Sequence, residues 1–154
     1  MSARLEVAFR IMIFGLFALA SAAIFFGAAF YVNFAEQSAR LSLDDRSLLA
    51  EWKPAYKRGF IMQASLAVIG FVLGNPRVVA DRCLALAYRR AVLVANWPYT
   101  LLVIVPTNNT LMATDPAQAN PETRQLIRKW GRLHAVRTTL GLAATLIFIS
   151  ASLR

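Results

Sequence analysis

The sequence predicts an all-α integral membrane four-helix bundle, with a long polar loop between helices 1 and 2 and another between helices 3 and 4. Three observations carry that expectation. The 154-residue chain is 58% hydrophobic with a mean hydropathy of +0.51, too apolar for a soluble domain of this size to hide in one core. Its apolar residues come in blocks separated by charged stretches, as membrane spans do. The formal charge of +9 sits in the connecting segments, where lysines and arginines meet lipid headgroups. Nucleic acid is not an expected partner, because no folded soluble face presents these cations. The single cysteine, Cys83, excludes an intrachain disulfide and a cysteine-based metal cluster.

The first helix is expected over residues 9–36. Arg4 and Arg10 precede an uncharged run from Ile11 to Ala35, longer than a signal-peptide core, so it is read as a retained span. Ala23 and Gly27 form a small-xxx-small pair that would let another helix come close. Residues 37–57 mix both signs of charge, and Ser42 would cap a short interfacial helix reaching Leu49. The second helix is expected over residues 56–74. It ends in the Gly70–Gly74 pair and stops at Asn75-Pro76, where proline cannot continue the ladder.

A basic segment with Arg77, Arg82, Arg89 and Arg90 leads into a third helix expected over residues 81–106. Pro98 removes the hydrogen bond to the Val94 carbonyl, so a kink is expected there, with Asn96 placed to cap the freed group or to meet a ligand. Pro106 weakens the end of this helix, and residues 115–121 read as a loop. The fourth helix, over residues 122–152, is amphipathic first: Trp130, His134, Arg137 and Gly141 share one face. From Thr138 onward it is purely apolar. Four crossings would put both termini on one side of the membrane, and the lysines and arginines divide too evenly to say which. A single domain covers the chain.

This topology gathers the unusual side chains at one membrane face. Asn33, Glu36, Trp52, Tyr56, Gln63, Asn108, Trp130, His134 and Arg137 all fall there. His134, the only histidine, is the natural group for moving a proton near neutral pH. It also fits an interfacial histidine bonded to a backbone carbonyl, with Arg137 snorkelling to headgroups. Asn33 and Glu36 share a face of the first helix, and Arg137 or His134 is the expected partner of that pair, for structure or catalysis. Trp52, Trp130 and Tyr56 suit stacking on a flat aromatic ligand or an interfacial aromatic belt. One histidine and one carboxylate are too few for a catalytic metal, so no metal and no cofactor is expected.

Several motifs occur together in order: Tyr31-Val32-Asn33-Phe34-Ala35-Glu36, Trp52-Lys53-Pro54-Ala55-Tyr56-Lys57-Arg58-Gly59, Asn96-Trp97-Pro98-Tyr99-Thr100, Pro106-Thr107-Asn108 and Trp130-Gly131-Arg132-Leu133-His134-Ala135-Val136-Arg137. The chain thereby resembles the bacterial anthrone-oxygenase-like membrane family over nearly its whole length. The resemblance implies an oxidoreductase that oxidises anthrones without metal or flavin. It implies catalytic roles for His134, Arg137 and Glu36 and substrate contacts for Asn33, Asn108 and Trp130, to which Trp52 and Tyr56 are added as the stacking candidates above. It departs at Glu36-Gln37-Ser38, where the family pattern has a histidine in place of Gln37. The expected partners are the lipid bilayer and a lipophilic aromatic small molecule, with a homo-oligomer left open, and the expected location is the bacterial inner membrane. The competing readings are a non-catalytic accessory or scaffold subunit and a binding protein for a lipophilic small molecule.

Overall fold

A computed structural model describes residues 3–73 and 98–152. Every regular element among them is helical. Helix α1 (Ala3–Tyr31) runs without a break through a π turn (Val32–Glu36) into a last α turn (Gln37–Arg40). Helix α2 spans Asp45–Leu73. A second π turn (Thr100–Ile104) leads into α3 (Val105–Ala113), and after a 3-10 turn (Pro116–Gln118) α4 spans Pro121–Ser152. The expectations for Gly74, the Asn75-Pro76 stop, the basic segment, Cys83, Asn96 and Trp97 lie outside the described residues.

Among the described residues, two stretches are long and apolar enough to cross a membrane, Met12–Arg40 and Pro121–Ser150. Only 28% of each most apolar window is buried within the protein, so most of this apolar surface faces outward. Phe9, Phe14, Phe17, Ile24 and Phe30 on α1 and Leu146 and Ile149 on α4 are all exposed, a distribution that a soluble core helix does not show.

The long loop expected between the first two helices is cut to four residues, whereas the connection read at residues 115–121 is kept, holding only a 3-10 turn. Asp44 Oδ1 accepts from the Arg46 and Ser47 backbone N–H groups at 3.1 Å each, capping α2 directly after a four-residue connection. The bonds from Ser47 hold the Asp44 carboxyl below its usual range. Helix α2 therefore starts eleven residues before the expected position 56 and absorbs the segment read as interfacial, with no cap at Ser42. It also passes through Pro54. Proline is tolerated there because Pro54 and Ala50, whose carbonyl loses its partner, both face outward. Likewise the helix continues past Pro106 to Ala113, with Pro106 just after the π turn.

Early entry into α2 builds a small core at the loop end. Leu48, Leu49 and Trp52 pack against Ile104, Leu111, Ile127 and Trp130, all at most 5% exposed. Lys53 Nζ reaches across to the last carbonyls of α3, donating to Met112 O at 3.0 Å and to Thr114 O. Arg124 ties α4 to Asp45 and to the Leu41 carbonyl.

Helix α1 packs chiefly against α4 and α2. The close approach does not use Ala23 and Gly27, which are both exposed. It uses Ala18, Ala22, Phe25 and Ala29 instead, against Gly141, Ala144 and Phe148. A Cβ on Gly141 would meet the Phe25 ring at 3.1 Å and the Phe26 Cα at 3.4 Å, whereas one on Gly27 would meet nothing within 4 Å. Gly141→Leu should therefore destabilise by about 1–3 kcal/mol through overpacking. Gly27→Ala should stabilise by about 0.5–1 kcal/mol through helix propensity alone. Thermal unfolding of both variants in detergent checks the pair.

Candidate functional site

The two π turns bracket the polar end of the bundle. Each inserts one extra residue into a helical turn and so re-aims the side chains around it, a feature frequent at functional sites. The first carries both Asn33 and Glu36, and they are sent to different partners. Asn33 Nδ2 donates to the Gly131 carbonyl at 2.8 Å. That bond fixes the amide, so its Oδ1 faces α4 and accepts from Thr138 Oγ1 at 2.8 Å and from His134 Nδ1 at 2.7 Å. An acceptor oxygen at Nδ1 requires the proton to sit on Nδ1 in the neutral ring, which leaves Nε2 with a bare lone pair. His134 is 4% exposed and stacks on Trp130 one turn earlier, with centroids 4.9 Å apart and planes 29° apart.

Glu36 does not pair with His134 or Arg137, as the sequence suggested. It bonds Arg40, four residues on along the same helix, which also reaches Glu51 Oε2 at 2.9 Å. Arg40 is 3% exposed and its guanidinium lies 5.7 Å from the Trp130 ring centroid. This cluster joins the end of α1 to α2 and α4 and takes up the carboxylate.

Around these groups lies a cavity of about 220 Å³. Of the eight candidate residues, His134, Arg137, Glu36, Asn108, Trp130 and Tyr56 line it. Asn33 does not; it stands behind the histidine and orients it. Trp52 does not either. It is fully buried, stacked flat on Tyr56 at 4.9 Å and edge-on to Trp130 at 5.6 Å, so it supports the wall and takes no part in an interfacial belt. Trp130 is engaged by His134 and Arg40, so what it offers is its buried indole N–H, which has no partner among the described residues.

The remaining wall is rich in unspent polar groups. Asn108 Nδ2 donates to the Tyr56 hydroxyl at 3.1 Å, and Asn108 Oδ1 is buried with no partner among the described residues. Arg137, half-buried, has no ion pair or hydrogen bond among the described residues, and its Nε is fully enclosed. Its guanidinium lies 5.4 Å from the Phe25 ring centroid. A cation with an enclosed Nε is costly without an anion or hydrogen-bond acceptor. A base lone pair, a cation, a phenol hydroxyl, an indole N–H and an amide oxygen thus converge on one small space. That set can take a proton from an acidic C–H and hold the resulting oxyanion.

Sequence reasoning missed three members. Thr138, one turn after His134, shares the Asn33 oxygen. Arg40 was legible only as an i,i+4 partner of Glu36. Gln63, grouped with the unusual side chains of this face but given no role, is 3% exposed and lines the cavity. Gln37, the departure from the family pattern, lies elsewhere. Its Nε2 donates to the Ile127 carbonyl at 3.0 Å on the far side of the α1–α4 seam, and it does not line this cavity. Among the described residues no three His, Cys, Asp or Glu side chains cluster as metal ligands would.

The tether makes a spectroscopic prediction. Imidazole ¹⁵N shifts should show His134 protonated at Nδ1 and bare at Nε2, and Asn33→Ala should give a mixture of tautomers; a mixed population in the wild type would remove Asn33 from the orienting role.

The model of the family described as anthrone oxygenase matches residues 52–147. An anthrone oxygenase from Claviceps purpurea (strain 20.1) is 32% identical over 147 residues, covering 84% of this chain and 83% of that protein. The anthrone oxygenase tpcL from Aspergillus fumigatus is 33% identical over 115 residues, covering 70% and 71%. No solved structure matches the chain.

Proposed function

The chain belongs to the anthrone oxygenase family, and from that premise we propose that it is a cofactor-independent oxygenase acting on a flat, lipophilic, anthrone-like phenolic substrate at one membrane face. The observation that carries this reading is the meeting of the His134 lone pair and the unpaired Arg137 cation in one cavity, one helical turn apart. The cavity is smaller than the ~300–1,000 Å³ that encloses a drug-sized ligand. It therefore takes the reacting edge of the molecule, while the rest lies along the outward-facing apolar surface of α2 and in the lipid.

The reaction begins with His134 Nε2 removing a proton from the ring methylene. Charge flows into the conjugated ketone, whose oxygen is held by Arg137 and the Tyr56 hydroxyl, donors placed where the charge develops. Asn108 Oδ1 is free to accept from a phenolic hydroxyl. The enolate is the reductant: it gives one electron to dioxygen, and the carbon radical and superoxide join through a new C–O bond. The peroxide anion takes the proton back from His134. Loss of the second C–H proton to the same nitrogen cleaves the O–O bond, leaving a carbonyl on carbon and expelling hydroxide, which His134 protonates to water. In sum, CH₂ and O₂ give C=O and H₂O. Asn33 keeps the ring in the tautomer that can cycle the proton, and Gln37 takes no part.

A scaffold role is the competing reading, favoured by the same Asn33 tether, since the bonds that orient His134 also lock α1 to α4. Oxygen uptake with an anthrone separates the two. The wild type should consume oxygen and form the quinone. His134→Gln should lose on the order of 10²–10⁴-fold in kcat while its melting temperature stays within a few degrees. Unaltered turnover in that variant would take the histidine out of the chemistry. A large fall in melting temperature, with no turnover by either protein, would favour the scaffold.

A further inference from the structure

Beside the cavity lies a second chamber of about 90 Å³. Phe60, Gln63 and Arg137 line both spaces and so form the partition between them. On its other sides the chamber meets Phe25, Ala64, Ala67, Thr100 and Leu101, and Phe60 and Leu101 are 45% and 58% exposed on the outward surface of the bundle. Resting on the oxygenase reading above, we propose that this chamber is the dioxygen site, loaded from the hydrocarbon of the bilayer and not from water.

Size, lining and position each bear on that assignment. The volume is several times the ~10–15 Å³ that one water-sized molecule needs, yet too small for a polycyclic ring. Cavities walled mainly by apolar side chains stay dry and take small apolar ligands, xenon among them. Dioxygen is such a ligand and prefers hydrocarbon to water, so an opening beside Phe60 and Leu101 faces the richer reservoir. The polar groups of this chamber are informative too. Gln63 is 97% buried by its 3% exposure and makes no hydrogen bond among the described residues, and Arg137 is the unpaired cation of the site.

Electrostatics give the partition a role. Before electron transfer the negative charge is on the substrate enolate, on one side of Arg137. Afterwards it is on superoxide, on the other side. One electron leaves the enolate, dioxygen is reduced to superoxide, and the two radicals close the C–O bond. A cation that borders both spaces favours the charge at either end, and so it does not hold the electron back on the donor. The Gln63 amide N–H adds a donor on the oxygen side.

Filling the chamber tests the assignment. Initial rates are measured against oxygen concentration at saturating anthrone for the wild type, Ala67→Leu and Ala64→Leu in detergent. The expected result is an apparent KM for oxygen raised about tenfold, with the KM for anthrone unchanged. A raised KM for anthrone with an unchanged KM for oxygen would assign the chamber to the substrate and overturn the proposal. So would uptake with neither constant altered. Hyperpolarised ¹²⁹Xe exchange provides a readout independent of turnover: xenon should bind the wild type and be lost in Ala67→Leu, and no binding to the wild type overturns the chamber even if the enzyme is active. Absence of oxygen uptake by the wild type with any anthrone overturns the oxygenase reading and this proposal together.

Discussion

The arrangement depends on one amide. Asn33 has a single orientation because its nitrogen is spent on the Gly131 carbonyl, and that orientation presents its oxygen to two donors on α4, Thr138 and His134. A polar side chain buried between apolar helices has few alternative partners, so such a contact fixes register as well as orientation. The π turn that delivers Asn33 costs some helical regularity. What it secures is a histidine with its proton on a known nitrogen, held between the Trp130 ring and an amide oxygen. Remove that amide and the ring has no reason to prefer one tautomer, and α1 has one polar tie fewer to α4.

A second constraint follows from charge. The polar end contains two deeply placed arginines with opposite circumstances. Arg40 is neutralised by Glu36 and Glu51 and lies over Trp130, and it behaves as a cross-brace. Arg137 has an aromatic face beside it and no carboxylate among the described residues. With Glu36 bonded to Arg40, Arg137 keeps no carboxylate among the described residues, which suits the oxyanion role proposed for it. Had Glu36 paired with Arg137, the cation would have been neutralised in the resting state and of little use to an enolate.

The helical class, the first and last of the four expected apolar spans and the grouping of His134, Arg137, Asn108, Trp130 and Tyr56 at one end were legible because they rest on hydropathy blocks and on helical spacing within α4. The second helix was misread because Pro54 and the mixed charges of residues 37–57 look like a loop. Its continuity comes from the burial of Leu48, Leu49 and Trp52 against α3 and α4, which is a tertiary effect. The roles of Asn33 and Glu36 were not separable from spacing, since three residues apart in a regular helix means one face. The π turn breaks that rule, and no residue type announces it. Ala23 and Gly27 satisfied a packing motif and are nevertheless exposed, because the face that packs was chosen by Ala18, Ala22, Phe25 and Ala29.

Gly131 adds a constraint of a different kind. Its carbonyl receives Asn33, and a Cβ there would come within 2.7 Å of the Gln37 amide nitrogen. Positions 37 and 131 are therefore sterically coupled in this chain, so that a larger residue at 131 requires Gln37 to move or to be smaller. A lineage can exchange the side chain at position 37 without touching the reaction cavity, provided position 131 stays small. Joining this first helix to a last helix with a larger residue at position 131 would force Gln37 off the Ile127 carbonyl, so the compatibility of such a chimaera is decided at the seam.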